Sequence, residues 1–287
     1  VELQHLRYVL ALAEHGSFTR AAAACHVTQS ALSHQIAALE AELGARLFTR
    51  GAREARPTEA GRALLPHASA ALAAVRRARD DVAAAQGVVR GTLRIGVIPT
   101  TVAVDIPQAV RAFRARHPAV RAELSLGSSD EMIAQIVGGD LDVAFLGLRA
   151  DVSPAGVAAR ELRRERLVTV LGPGHPLAHR RRLAIAELDG SVFVDFPAGT
   201  PGRAQTDHAF DAAGIRRDIA FEAWHADHIL GLVAADLAVA MLAPAVAEGA
   251  PGVVAIPTTG AAERVEHLAW HATDPSPAAR AFVALVG

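Results

Sequence analysis

Apolar residues recur at helical spacing through the first part of the chain and switch to alternating strand and helix patterns after Gly91. Leu3, Leu6, Leu10 and Ala13 predict a helix over residues 3–14, closed by Gly16. Ser17 is placed to cap a short second helix that runs through residues 21–24. Residues 26–28 form a turn, and Thr28 caps a third helix starting at Gln29, with Leu32, Ile36, Leu39 and Leu43 as its apolar stripe. Short extended runs, residues 47–50 and 55–57, flank a polar turn at residues 51–54. Thr58 then caps a long helix that ends near Gln86, before Gly87, with a length of about 43 Å at the standard helical rise.

Beyond Gly91, strands are expected at residues 92–98, 120–126 and 141–146, with helices at 104–116 and 129–137. A second set has strands at 167–171, 192–195, 219–222 and 239–242, with helices near 203–213 and 227–235. The last strand, 267–271, and the helix 277–286 are expected to return to the first set. Strands separated by helices of this length indicate βαβ units and a mostly parallel sheet.

The N-terminal pattern carries the first chemical implication. A short helix, a tight turn and a third helix with polar residues on its first turns is the geometry that delivers side chains into a DNA major groove. Gln29, Ser30, Ser33 and His34 occupy those first turns, and Gln29 suits bidentate readout of adenine. Thr28 and Arg20 are candidates for backbone contacts, and Arg50 and Arg53 flank the wing, where they suit phosphates or a minor groove. Taken alone, the wing reads as a solvated hairpin with ordinary surface arginines; beside a recognition helix it favours DNA. In the long helix, Leu65 and Leu72 fall seven apart, with Ala68, Val75 and Val82 in the alternate positions of one seam. Such a seam predicts a second copy of the chain, against the alternative of a single helix packed on its own domain.

Composition narrows this picture only modestly. The net charge is −1 and all 29 basic residues are arginine, since the chain contains no lysine. Residues 1–86 hold ten arginines and eight acids, a surplus of about +2 that leaves DNA affinity to the placement of the arginines. Neither a membrane-length apolar run nor a secretory leader is legible, so a cytoplasmic protein with no membrane partner is expected. Cys25 is the only cysteine, which excludes a disulfide within these 287 residues and hence a two-cysteine redox sensor. It lies on the apolar side of the second helix, where burial would raise its pKa.

The local phrases agree with one family. Leu6-Arg7-Tyr8, Gly16-Ser17-Phe18-Thr19-Arg20-Ala21-Ala22, Val27-Thr28-Gln29-Ser30-Ala31-Leu32-Ser33, Gln35-Ile36, Leu39-Glu40, Leu43-Gly44, Leu47-Phe48 and Thr58-Glu59-Ala60-Gly61 follow in order and spacing. In these residues the chain strongly resembles the LysR-type transcriptional regulators. Ser30 stands where many members have proline, and His34 where many have arginine, which weakens a contact to phosphate or guanine at neutral pH. The resemblance implies a winged helix-turn-helix domain over residues 1–58, a linker and dimerisation helix over 59–87, and an effector domain over 91–287. The effector domain would be α/β, bilobal and like a type 2 periplasmic binding protein. Lobe I is expected at about 91–161 and 267–287, and lobe II at about 162–266. Phrases such as Gly139-Asp140-Leu141-Asp142-Val143-Ala144 and Gly174-His175-Pro176-Leu177-Ala178 support this, while Asp236 and Ala238 depart from positions that are often glycine in relatives.

Ligands of such folds bind between the lobes, outside the carboxyl ends of the strands. Thr100 and Thr101 follow the first strand, Ser128 and Ser129 the second. Placed at helix starts, their hydroxyls and the free N–H groups would hold a carboxylate, so an anionic effector is expected; plain helix capping is an equal reading. Thr100 and Ser128 match the ligand contacts that the resemblance implies most closely. From lobe II, Pro197, Gly199, Thr200 and His225 are candidates, although a surface or packing role suits His225 better than ligand contact. His225 and His228 share a helical spacing, but no further ligands complete a metal site, and neither metal nor cofactor is expected. The runs Arg163-Arg164-Glu165-Arg166 and His179-Arg180-Arg181-Arg182 read as solvated charge. No Gly-rich phosphate loop, nucleophile elbow or paired carboxylates are legible, so an enzyme is not expected. The expected function is a homodimeric or tetrameric, sequence-specific binder of double-stranded DNA, modulated by a small-molecule effector. RNA polymerase is a further partner that the resemblance implies. Competing readings are a small-molecule binding protein that keeps the helix-turn-helix for assembly, and an enzyme of the two-lobed fold.

Overall fold

The computed structural model describes residues 1–50 and 54–286. The chain divides into two compact units, Val1–Val89 with Val137–Asp140, and Arg90–Ile136 with Leu141–Gly287.

In the first unit, α1 (Leu3–His15), α2 (Phe18–Ala24) and α3 (Gln29–Leu43) pack around Val9, Leu12, Leu32, Ile36 and Leu39, each essentially inaccessible to solvent. The buried face of α1 is carried by Leu6, Val9 and Leu12 rather than by the expected Leu3 and Leu10, and Leu43 of α3 is exposed. Leu3 and Leu43 are the terminal residues of their helices. Gly16 and Gly44 end α1 and α3 in the left-handed conformation, at φ 61° and 66°, where a glycine carries no Cβ penalty. Ser17 takes the N-cap position of α2, but its hydroxyl makes no capping bond. Thr28 does cap α3, accepting from the Ala31 N–H at 3.2 Å.

The wing consists of β1 (Phe48–Arg50) and β2 (Ala55–Pro57), paired antiparallel. Its base is fixed from α3: the Glu40 carboxylate accepts from the N–H groups of Leu47 at 2.8 Å and Phe48 at 3.3 Å. Helix α4 (Glu59–Ala84) follows, capped by Thr58, which accepts from the Gly61 N–H at 3.1 Å and donates to the Arg46 carbonyl at 2.6 Å. Leu64 and Leu65 of α4 pack on the helix-turn-helix core, so Leu65 is a contact of its own domain rather than part of a free seam. Farther along, Val82 is 65% exposed.

The second unit holds two lobes. Its elements are β3 (Gly91–Val97), α5 (Ile106–Arg116), β4 (Val120–Leu126), α6 (Ser129–Gly138), β5 (Val143–Arg149), β6 (Val157–Arg166), β7 (Val168–Leu171), β8 (Leu183–Ala184), a 3₁₀ turn (Ile185–Leu188), β9 (Val192–Asp195), α7 (Pro201–Ala213), β10 (Asp218–Glu222), α8 (Ala226–Ala234), β11 (Ala240–Leu242), α9 (Pro244–Ala247), β12 (Val254–Thr259), β13 (Glu263–His271) and α10 (Pro277–Val286). Lobe I is the sheet β4-β3-β5-β13-β6, in which β3 runs parallel to β4 and β5 while β13 runs antiparallel to β5 and β6. Lobe II contains β11-β7-β12-β8 and the parallel pair β10-β9, which a Phe193–Val239 bridge extends.

The chain changes lobes later, and returns earlier, than the expected bounds near residues 161 and 267. β6 runs to Arg166 and β13 begins at Glu263, so residues 162–166 and 263–266 belong to the lobe I sheet and not to lobe II. Their alternating charges hide a strand, because one face of it is occupied by ion pairs instead of apolar side chains. At the crossing the two segments lie side by side, with the Leu167 N–H donating to the Ala262 carbonyl at 2.9 Å.

Each lobe has its own aromatic core. Phe113 meets Phe282 edge-on at 5.5 Å in lobe I, and Phe193 meets Phe210 at 5.2 Å in lobe II. Arg217 lies over the Phe210 ring at 4.4 Å and donates to the buried Asp195 carboxylate at 2.9 Å. Thr206 donates to the same carboxylate at 2.6 Å. Burial outweighs these partners and pushes the Asp195 carboxyl up to about 6.

Two outcomes follow from these contacts. A Cβ at Gly61 would lie 2.1 Å from the Leu47 carbonyl oxygen, a rigid backbone atom. Gly61→Ala is therefore expected to separate α4 from the wing and to cost about 3 kcal/mol or more, read from urea midpoints. The raised carboxyl of Asp195 means that the folded protein retains a proton which the unfolded chain releases near pH 4. Stability is therefore expected to fall as pH rises from about 4 to 6, and Asp195→Asn to flatten that slope in urea titrations at several pH values.

Candidate functional sites

The first candidate site is the exposed start of α3. Gln29, Ser30 and His34 are exposed and Ser33 is half-buried, while the opposite face of the helix is locked into the core. The turn before it holds His26 in the left-handed region at φ 55°, an unusual conformation for a side chain with a Cβ. The Thr28 hydroxyl also meets Ser30 Oγ at 3.1 Å, so capping occupies the group expected to touch a DNA backbone. Arg20 is exposed and donates to the His15 carbonyl at 2.6 Å. Arg50 ends β1, and Arg53 lies outside the described residues. Cys25 follows α2 and is half-buried against the core, and desolvation raises its thiol pKa.

The second candidate site is a cavity of about 370 Å³ in the second unit, between the two lobes. Of the expected residues, Thr100, Ser128, Ser129, Thr200 and His225 line it. Thr101, Pro197 and Gly199 do not: Thr101 turns back to donate to the Ile98 carbonyl, and the Pro197 carbonyl accepts from Thr200. The expected helix start at Thr100 and Thr101 is also displaced, because α5 begins at Ile106 behind an Asp105 cap.

The hydroxyls that do line the cavity are engaged by the protein itself. Thr100 Oγ1 accepts from Arg264 Nη1 at 2.9 Å. Ser128 and Glu131 form a reciprocal capping box at the start of α6, with the Glu131 carboxylate accepting from Ser128 Oγ at 2.9 Å and from its N–H at 3.2 Å. Ser129 Oγ accepts from the Gly147 N–H at 3.0 Å and donates to its carbonyl, while Gln205 of α7 donates to that carbonyl from lobe II at 3.2 Å. Thr200 caps α7.

Sequence reasoning missed the most consequential wall residue, Arg264 of β13, which is 3% exposed. Its Nη2 donates to the Thr100 carbonyl at 3.0 Å and to Glu266, and its Nε faces Glu165 at 3.5 Å. Glu165, expected to be solvated, is buried and meets Arg163 at 3.0 Å. The available signal was the period-two spacing of Arg264 and Glu266 opposite Val265, which places both charges on one face of a strand. Phe196, Trp224, Met241 and Leu242 supply much of the apolar wall. Aromatic and aliphatic residues with ordinary core spacing carry no such signal in sequence. Asp236 does not line the cavity. It takes φ 56°, and its carboxylate sits so close to the turn at residues 172–174 that a Cβ on Gly172 would lie 2.0 Å from it. Among the described residues no cluster of potential ligands could hold a metal ion.

A winged helix-turn-helix joined to a bilobal binding domain defines a ligand-responsive DNA-binding regulator. Residues 3–62 match the family model for bacterial regulatory helix-turn-helix proteins of the lysR family, and residues 86–287 match the LysR substrate binding domain. The chain belongs to the LysR family of transcriptional regulators. Among its relatives, a probable hydrogen peroxide-inducible genes activator of Mycobacterium avium is 34% identical over 215 residues, 75% of this chain and 68% of the relative. The hydrogen peroxide-inducible genes activator of Dickeya chrysanthemi is 33% identical over 243 residues, 84% of this chain and 79% of the relative. Of solved structures, full-length CbnR complexed with its target DNA is 27% identical with a TM-score of 0.68, covering 100% of this chain and 99% of that one.

Removing Arg264 would leave Glu165 and Glu266 buried without their shared cation. Arg264→Ala is expected to destabilise the effector domain by about 3–5 kcal/mol, measured by chemical denaturation. Replacing Glu266 with Gln in the same protein should restore part of the loss.

Proposed function

We propose that the chain binds an interrupted DNA palindrome as a homodimer or tetramer, through the start of α3, and that a small molecule in the interlobe cavity sets its regulatory output. The observation that carries this reading is the placement of Gln29, Ser30 and His34, exposed on the first turns of a capped helix whose other face is fixed in the domain core. Gln29 reads a base edge, with Ser30, Ser33 and His34 beside it. Arg20, Arg50 and Arg53 hold phosphates, and Thr28 holds the helix start. Helix α4 carries the dimer contact. In the cavity, Thr100, Ser128, Thr200 and His225 face the effector, while Ser129 braces the lobe I wall through Gly147.

An effector that binds two lobe arrangements unequally shifts their populations, and through the oligomer shifts DNA bending and contact with RNA polymerase. The protein acts in the cytoplasm, and no helix among the described residues is long and apolar enough to cross a membrane.

Selection of bound DNA from a random pool at physiological salt is expected to return a dyad-symmetric consensus. An unstructured pool from well-folded protein would refute the reading. Gln29→Ala is expected to relax preference at one base pair per half-site, whereas Arg50→Ala should weaken binding to all sequences and lower the salt slope by about 1. Equal loss across sequences in both variants would show the groove assignment to be wrong.

A further inference from the structure

The charges around the interlobe cavity decide what kind of molecule can enter it. Arg264 is its buried cation. Thr100 and Glu266 take three of the five guanidinium donors, and Glu165 lies 3.5 Å from Nε as an ion pair without a hydrogen bond. Glu266 is itself held by the N–H groups of Val102 and Ala103, at 3.2 and 3.1 Å. With Arg163 on Glu165, two cations and two anions cancel in place. A ligand carboxylate brought to Arg264 would meet Glu266 and Glu165 at short range, where little solvent screens the repulsion.

The other anion-binding feature is occupied as well. At the start of α6, where a ligand carboxylate would be held by the helix terminus, the Glu131 carboxylate already accepts from Ser128. The Ser129 and Thr200 hydroxyls are engaged with Gly147, Pro197 and Arg203. His225 is solvent-exposed on the lobe II side of the cavity. Between these polar points the wall is formed by Ile98, Phe196, Trp224, Met241 and Leu242.

We propose that the cavity takes an uncharged, largely apolar molecule, of the size of a single aromatic ring with a short side chain, and disfavours carboxylates. This rests on the reading of the cavity as the effector site. It reverses the anionic preference drawn from the hydroxyls, because in the folded chain those hydroxyls are bonded to the protein.

The test uses three probes of nearly equal shape: 3-phenylpropionamide, 3-phenylpropionate and 3-phenylpropylammonium. Each is titrated into the full chain while tryptophan emission is followed, with Trp224→Phe to assign the signal, since Trp224 lines the cavity and is 56% exposed. The amide is expected to bind at least about tenfold more tightly than the carboxylate, and to lose its signal in Trp224→Phe. Carboxylate binding as tight as the amide, or tighter, overturns the inference while leaving the cavity as the ligand site. Tightest binding by the ammonium overturns it in favour of a cation. If no probe changes the emission of Trp224 up to millimolar concentration, the inference fails.

Discussion

Two strands that cross between lobes constrain the whole effector domain. β6 leaves lobe I and β13 returns to it side by side, and their shared edge carries the Arg264, Glu165 and Glu266 cluster. Charges buried this deeply persist only when every partner stays in position, since the loss of one leaves another unpaired in a medium that solvates it poorly. The cluster therefore fixes the register of β13 on β6 and holds Thr100, and with it the loop after β3, against the cavity. Gly147 gives a second tie across the cleft, accepting from Ser129 of lobe I and Gln205 of lobe II.

The DNA-binding unit depends on a different economy of contacts. Its core is small and aliphatic, and its wing is too short to be stable alone. Glu40 anchors the base of the wing to α3, the Ala55 N–H donates to the Gly16 carbonyl at 2.9 Å, and Thr58 and Gly61 seat α4 against Leu47. Helix α3, the wing and α4 are thus tied together by hydrogen bonds to backbone groups, which keeps the exposed face of α3 in a fixed attitude to the wing.

The chemistry of the cavity separates what family membership conveys from what this chain's own residues add. Membership conveys a DNA-binding domain and a ligand-binding domain. In the cavity wall the hydroxyls, a helix terminus and the guanidinium each have a partner within the protein. Cys25 belongs to the helix-turn-helix core and lies in the other unit from the cavity.

Local rules determined a great deal here. Left-handed glycines at Gly16 and Gly44, threonine caps at Thr28 and Thr58, and period-3.6 stripes in α1 and α3 made the winged helix-turn-helix legible, because each depends on residues a few positions apart. The βαβ alternation of lobe I was legible for the same reason. What the tertiary structure decided lies where the partner is distant in sequence. Arg264 reaches Thr100 across 164 positions and Glu165 across 99, so residues 163–166 read as solvated charge until the fold brings the two strands together. The same holds for Thr100 and Ser129, whose hydroxyls look available in sequence and are taken by Arg264 and Gly147 in space. Periodicity records which face of an element is buried, whereas the ion pairs and hydrogen bonds that set the character of a cleft form between elements that only the folded chain places side by side.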